Sequence, residues 1–105
     1  MQEFVRQTNQ FGSWDYLYLK DLKQALNVFN SSAHAEHKGM SIVLSGEAES
    51  YAYYAFLDCQ GLRIPFLIYT GLLWGTGRFS YAPHANAVYH EAWNLWIEVT
   101  GLRLR

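Results

Sequence analysis

Two apolar segments separated by Asp58-Cys59-Gln60-Gly61 constrain the fold of this chain more than any other feature. Tyr51 to Leu57 and Leu62 to Tyr69 are rich in aromatic and aliphatic residues, which strands favour. The four residues between them suit a type I turn that ends in a left-handed glycine. The pattern therefore predicts a β-hairpin within an antiparallel sheet.

Both faces of this hairpin are predicted to be apolar. Pairing of Asp58 with Leu62 places Phe56 opposite Ile64 and Tyr54 opposite Phe66 on one face. The other face then carries six apolar residues, namely Tyr51, Tyr53, Ala55, Leu57, Leu67 and Tyr69. Pro65 has no amide donor, so its strand is expected at a sheet edge or with a bulge.

Two helices are predicted, one before the hairpin in the sequence and one after it. Leu19 to Phe29 has apolar residues on one narrow face, and the polar stretch Ser31 to Gly39 after it is expected to be a loop. Pro83 suits the first turn of a second helix, and Gly101 suits its end. Apolar residues cover more than half of this second helix, so it must contact more than one neighbour.

Shorter strands are predicted at Trp14 to Leu19, Ser41 to Ser45 and Arg78 to Tyr81. Residues 1–105 are expected to form a single α+β domain. Its predicted architecture is an antiparallel sheet of about four to five strands, with two helices packed mainly on one face.

Composition narrows the classes of partner. The net charge is −1, which lacks the basic excess of a protein that neutralises phosphates, so nucleic-acid binding is not expected. The single cysteine, Cys59, cannot form an internal disulfide, and no apolar run approaches the ~18 residues of a membrane span. With no signal-peptide pattern at the N-terminus, a cytoplasmic location without membrane association is predicted.

The motif His34-Ala35-Glu36-His37 is the most suggestive of a metal site. Side chains three apart share a helix face, and His90 or Glu91 would serve as a third ligand. The longer spacing of a metalloprotease helix is absent, and no cysteine or fixed third ligand accompanies the pair. We therefore interpret His34 and His37 as surface histidines and predict no metal and no cofactor.

A catalytic hypothesis rests on three residues of the C-terminal region. His84, His90 and Glu91 are suited to general acid–base chemistry, and the competing interpretation is a solvated helix face. Cys59 is a weak candidate nucleophile, because the neighbouring Asp58 would raise the pKa of its thiol. We predict no catalytic residue from these patterns.

An excess of aromatic residues in the second half of the chain is the best pointer to function. The candidate ligand-binding or interface residues are Tyr51, Tyr53, Leu67, Tyr69, Trp74, Trp93, Trp96 and Ile97. Exposed together, they would form an apolar patch larger than soluble monomers usually carry.

Three hypotheses account for this excess. The first is a small non-enzymatic interaction protein that self-associates through this aromatic-rich surface, or binds another protein with it. The second is a pocket for a small apolar or aromatic ligand between the sheet and the C-terminal helix. The third is an enzyme that uses His84, His90 and Glu91.

Overall fold

The computed structural model describes residues 17–47, 52–71, 76–81 and 85–102, and it confirms the α+β class. The elements in chain order are β1 (Leu17–Tyr18), α1 (Leu19–Asn30), α2 (Ala33–Lys38), β2 (Met40–Glu47), β3 (Ala52–Cys59), β4 (Leu62–Gly71), β5 (Thr76–Tyr81) and α3 (Ala87–Thr100). Within these residues every strand pairing is antiparallel, and the strands lie in the order β1-β5-β4-β3-β2. The three longest strands, β2, β3 and β4, form the body of the sheet.

The turn between β3 and β4 is tighter than the sequence predicts. Cys59 pairs with Leu62, so only Gln60 and Gly61 lie in the turn, and the predicted pairing of Asp58 with Leu62 is wrong by one residue. Both turn residues have positive φ, 51° and 86°, as a two-residue type I′ turn requires. This turn matches the twist of the two strands, which explains why it replaces the longer loop.

A bulge in β4 confirms the prediction made from Pro65. Phe56 pairs with Pro65, but Ala55 pairs with Leu67, so Phe66 is an additional residue in β4. Consecutive side chains of a regular strand point to opposite faces, yet Phe66 and Leu67 are both buried. The bulge thus allows β4 to place two neighbouring apolar side chains in the core.

The described chain has three helices, and the predicted loop from Ser31 to Gly39 is wrong. Ser32 caps α2 by accepting a hydrogen bond from the amide of Ala35 at 3.3 Å, and Gly39 ends α2 at a φ of 68°. A serine cap and a left-handed glycine with six residues between them are enough for this short helix. Asn86 begins α3 with its own side-chain cap, and Gly101 ends α3 as predicted.

The core lies between the helices and one face of the sheet. α1 contacts β2 and α3, and α3 contacts β3. Five aromatic rings from these layers form the centre of the core, with centroid separations from 4.2 to 6.4 Å: Phe29, Phe66, Tyr89, Trp93 and Trp96. The described helices thus cover one face of the sheet, and the opposite face points away from them.

One edge of the sheet is bound by a side chain from α1. The Asn30 amide nitrogen donates to the carbonyl of Ile42 at 3.0 Å, and its amide oxygen accepts from the Ile42 N–H at 2.7 Å. These are the two bonds that a neighbouring strand would make. Because β2 is the last strand of the sheet, Asn30 occupies part of an edge on which another strand would pair.

Candidate interaction surface

The side chains of β2, β3 and β4 that point away from the helices form an apolar patch, which we call the open face. Its residues are Val43, Tyr54, Phe56, Pro65 and Ile68. Strand pairing places them in two adjoining rows: Val43, Phe56 and Pro65 in one, and Tyr54 with Ile68 in the other. Val43 is 40% exposed and Tyr54 is 44% exposed, while Phe56 and Ile68 are half-buried.

Polar side chains flank the open face along the strands. Ser41, Asp58 and Arg63 form the next row toward the β3–β4 turn, and Ser45 pairs with Tyr54 at the β2 edge. An apolar centre with a polar border is the usual composition of a protein interface. The sequence of β2 indicates this face, since Ser41, Val43 and Ser45 alternate with the buried Ile42.

Arg63 places a charged group beside the apolar rows. Its guanidinium makes two hydrogen bonds to the carboxylate of Asp58, at 2.8 and 2.9 Å. The same guanidinium lies 5.6 Å from the ring centroid of Phe56, within cation–π range. The Arg63 hydrogen bonds hold the pKa of Asp58 below its ordinary value, so this pair is ionised at neutral pH.

The structure corrects the assignment of hairpin faces. Tyr53, Leu67 and Tyr69 share one face as predicted, but this face packs on the helices instead of facing outward. Leu67 is 1% exposed and Tyr69 is fully buried, while Tyr53 is half-buried against the Tyr69 ring. The exposed tyrosine of β3 is therefore Tyr54, which is not among the candidate residues predicted from the sequence.

Tyr69 has a structural role in this core. Its hydroxyl donates a hydrogen bond to the carbonyl of Leu17 and so joins β4 to β1 across β5. Burial raises the pKa of Tyr69 to about 12, and the hydroxyl therefore remains a donor at neutral pH.

The candidate residues of α3 lie in or beside the same core. Trp96 is fully buried, and Trp93 stacks on Phe66 with the ring centroids 4.2 Å apart. Ile97 is half-buried against the core. Tyr51 and Trp74 lie outside the described residues. Trp93 and Trp96 thus pack against Phe66 in the space between the sheet and α3 in which a pocket was predicted.

The polar residues of α2 and α3 form an ion-pair cluster. The Nε2 atom of His34 lies 3.0 Å from Oε2 of Glu91, and the Nζ atom of Lys38 lies 3.3 Å from the same oxygen. The His34 hydrogen bond is the main cause that lowers the pKa of Glu91, and Lys38 adds to it. The cluster joins two helices and is about half exposed to solvent.

This cluster does not form a metal site within the described residues. No group of three or more histidine, cysteine, aspartate or glutamate side chains there has the arrangement of metal ligands. His37 and His90 are exposed, and His84 lies outside the described ranges. Paired to Glu91, His34 has the arrangement of an oriented base, but among the described residues no serine, threonine or cysteine side chain hydrogen-bonds to it.

Cys59 is buried at the β3–β4 turn, with 4% exposure, and its thiol lies 3.5 Å from the carbonyl of Lys38. A surface depression of about 350 Å³ adjoins it, lined in part by Asp58, Gln60 and Arg63. The charged groups of this depression are already paired with each other, so it offers a ligand little unpaired charge.

Comparisons with known proteins give no further guidance, since no family model, curated protein or solved structure matches the chain. Among the described residues, no helix is both long and apolar enough to cross a membrane.

Proposed function

We propose that the chain is a small non-enzymatic interaction protein that self-associates through the open face of its sheet. The observation that carries this proposal is the partly exposed apolar patch of Val43, Tyr54, Phe56, Pro65 and Ile68. The described helices pack on the other face of the sheet, so among the described elements none lies over this patch of the three long strands. Two sheets that pack face to face lie about 10 Å apart and bury such residues between them.

The charges of the molecule support a second copy as the partner. A two-fold axis brings the same patch of two copies together, so a patch with a single sign of charge would repel itself. Among the described side chains, the border of the open face instead carries one acid, Asp58, and one base, Arg63. The whole chain has a net charge of −1, which adds little repulsion between copies.

The other hypotheses have weaker support. The rings of Phe66, Trp93 and Trp96 already occupy the space proposed for an apolar ligand. The acid–base pair of His34 and Glu91 lies on an exposed helix surface, where water would screen its charges. A cytoplasmic setting remains part of the proposal, because a free Cys59 thiol is typical of reducing compartments.

Sedimentation velocity over a concentration series tests the proposal. We expect the wild-type chain to show a reversible monomer–dimer equilibrium. Tyr54→Lys places a charge at the centre of the open face, and burying an unpaired charge is costly. We therefore expect the dissociation constant of the dimer to rise at least about tenfold, which corresponds to the loss of one interface hot spot.

Leu62→Lys is the matched control. Leu62 is 49% exposed and lies on the opposite side of the sheet from Tyr54, so the same charge is introduced outside the open face. We expect this variant to dimerise like the wild type, with unchanged circular dichroism in both variants. A wild-type monomer at every concentration would overturn the proposal, as would equal loss of the dimer in both variants.

A further inference from the structure

The position of Arg63 links the charged border to the apolar rows. Its guanidinium lies over the Phe56 ring, so a partner that covers Phe56 must also contact Arg63. Its side chain is 58% exposed, and that of Asp58 is 32% exposed. A partner would therefore remove much of this ion pair from water, which is favourable only where the partner supplies complementary charges.

We propose that Arg63 and Asp58 form a reciprocal charge lock between two copies, in which Arg63 of each copy contacts Asp58 of the second copy; this inference rests on the proposed self-association. A two-fold axis that runs parallel to the strands between β3 and β4 produces this arrangement. It places β3 of each copy over β4 of the other, so that Asp58 of one copy lies opposite Arg63 of the second copy and both residues keep the same height along the axis.

Residue chemistry favours this use of Arg63. Guanidinium has five donors, and the two bonds to Asp58 leave the others for a second carboxylate. The Asp58 carboxylate likewise has acceptor sites beyond the two that Arg63 occupies. Arginine is also enriched at protein interfaces relative to the rest of the surface.

Charge exchange between copies is the decisive experiment. Asp58→Arg gives a border with two positive charges, and Arg63→Asp gives one with two negative charges. We expect each variant alone to lose at least about tenfold in dimer affinity through like-charge repulsion. A 1:1 mixture should restore a heterodimer of nearly wild-type affinity, and native mass spectrometry distinguishes it from both homodimers by mass.

A double variant and a folding control complete the test of the charge lock. The double variant Asp58→Arg/Arg63→Asp restores one charge of each sign and should dimerise with itself. Circular dichroism of each single variant should match the wild type, because an exposed ion pair contributes only about 0–1 kcal/mol to folding.

If both single variants form a dimer with the affinity of the wild type, the charge lock is overturned and the proposed self-association stands. Loss of the dimer in both single variants without rescue in the mixture would also overturn the lock. A wild-type chain that never dimerises would overturn both proposals.

Discussion

Gly77 lies at a position of the sheet where there is no room for a side chain. β5 passes Tyr69 so closely at this position that a β-carbon on Gly77 would lie 2.9 Å from Cζ of Tyr69 and would overlap the carbonyl oxygen of Thr70. Tyr69 cannot easily yield, because it is buried and its hydroxyl is bonded to Leu17. Glycine is therefore required here by close approach and not by a turn.

We expect Gly77→Ala to lower the free energy of unfolding by about 2 kcal/mol or more, since overpacking against backbone has no cheap relief. Urea denaturation followed by circular dichroism measures this loss. Ser80→Ala, at an exposed position of the same strand, should change the value by less than ~0.5 kcal/mol. A Gly77→Ala variant as stable as Ser80→Ala would show that β5 can move away from Tyr69.

At the scale of elements, the contact between α2 and α3 depends on a charge. The lowered pKa of Glu91 means that its ionised form is favoured in the folded state. The resulting stabilisation is fully present above the ordinary pKa of 4.5 and is lost as pH falls through the lower, folded value. Because the Glu91 side chain is 35% exposed, the effect is a few tenths of a kcal/mol.

We expect Glu91→Gln to reduce stability slightly at pH 7 and to leave it unchanged near pH 2. A double-mutant cycle with Lys38→Gln, measured by urea denaturation at both pH values, isolates the ion pair from other titrations. The coupling energy between the two positions should be present at pH 7 and absent at pH 2. The same coupling at both values would contradict the assigned role of the Glu91 charge.

The contact between Asn30 and the edge of β2 gives a second prediction at the scale of elements. Asn30→Ala removes both bonds to Ile42, and we expect a loss of about 1–2 kcal/mol in urea denaturation. Asn30→Asp retains the acceptor for the Ile42 N–H and should lose less. Asn94→Ala, at an exposed position of α3, serves as the control and should stay within ~0.5 kcal/mol of wild type.

Local sequence rules predicted most of the elements but not which side of the sheet is covered. The hairpin, the bulge near Pro65 and the end of α3 at Gly101 follow from local chemistry. The exchange of the two hairpin faces does not, because both faces are apolar and neither alternation nor propensity distinguishes them. The bulge adds to this difficulty, since the extra Phe66 resets the alternation within one strand.

At the scale of the whole molecule, the sequence predicted that an association surface exists but not where it lies. The surplus of apolar residues indicated such a surface, whereas the choice of Tyr54, Phe56 and Ile68 depends on the packing of the helices on the other face of the sheet. The buried candidates Leu67, Tyr69 and Trp96 show why composition alone does not locate such a surface. Tyrosine and tryptophan serve cores and interfaces equally well.

The Asn30 contact has a consequence for the size of any assembly. In the language of polymer chemistry, a monomer with one reactive group can only pair, whereas a monomer with two can grow into a chain. The open face supplies one such group, and the Asn30 amide occupies backbone groups of Ile42 that would otherwise supply a second. Within the described residues, the Asn30 contact thus disfavours growth by strand pairing at Ile42, so the proposed association through the open face should favour pairs over fibres that extend from this part of the β2 edge.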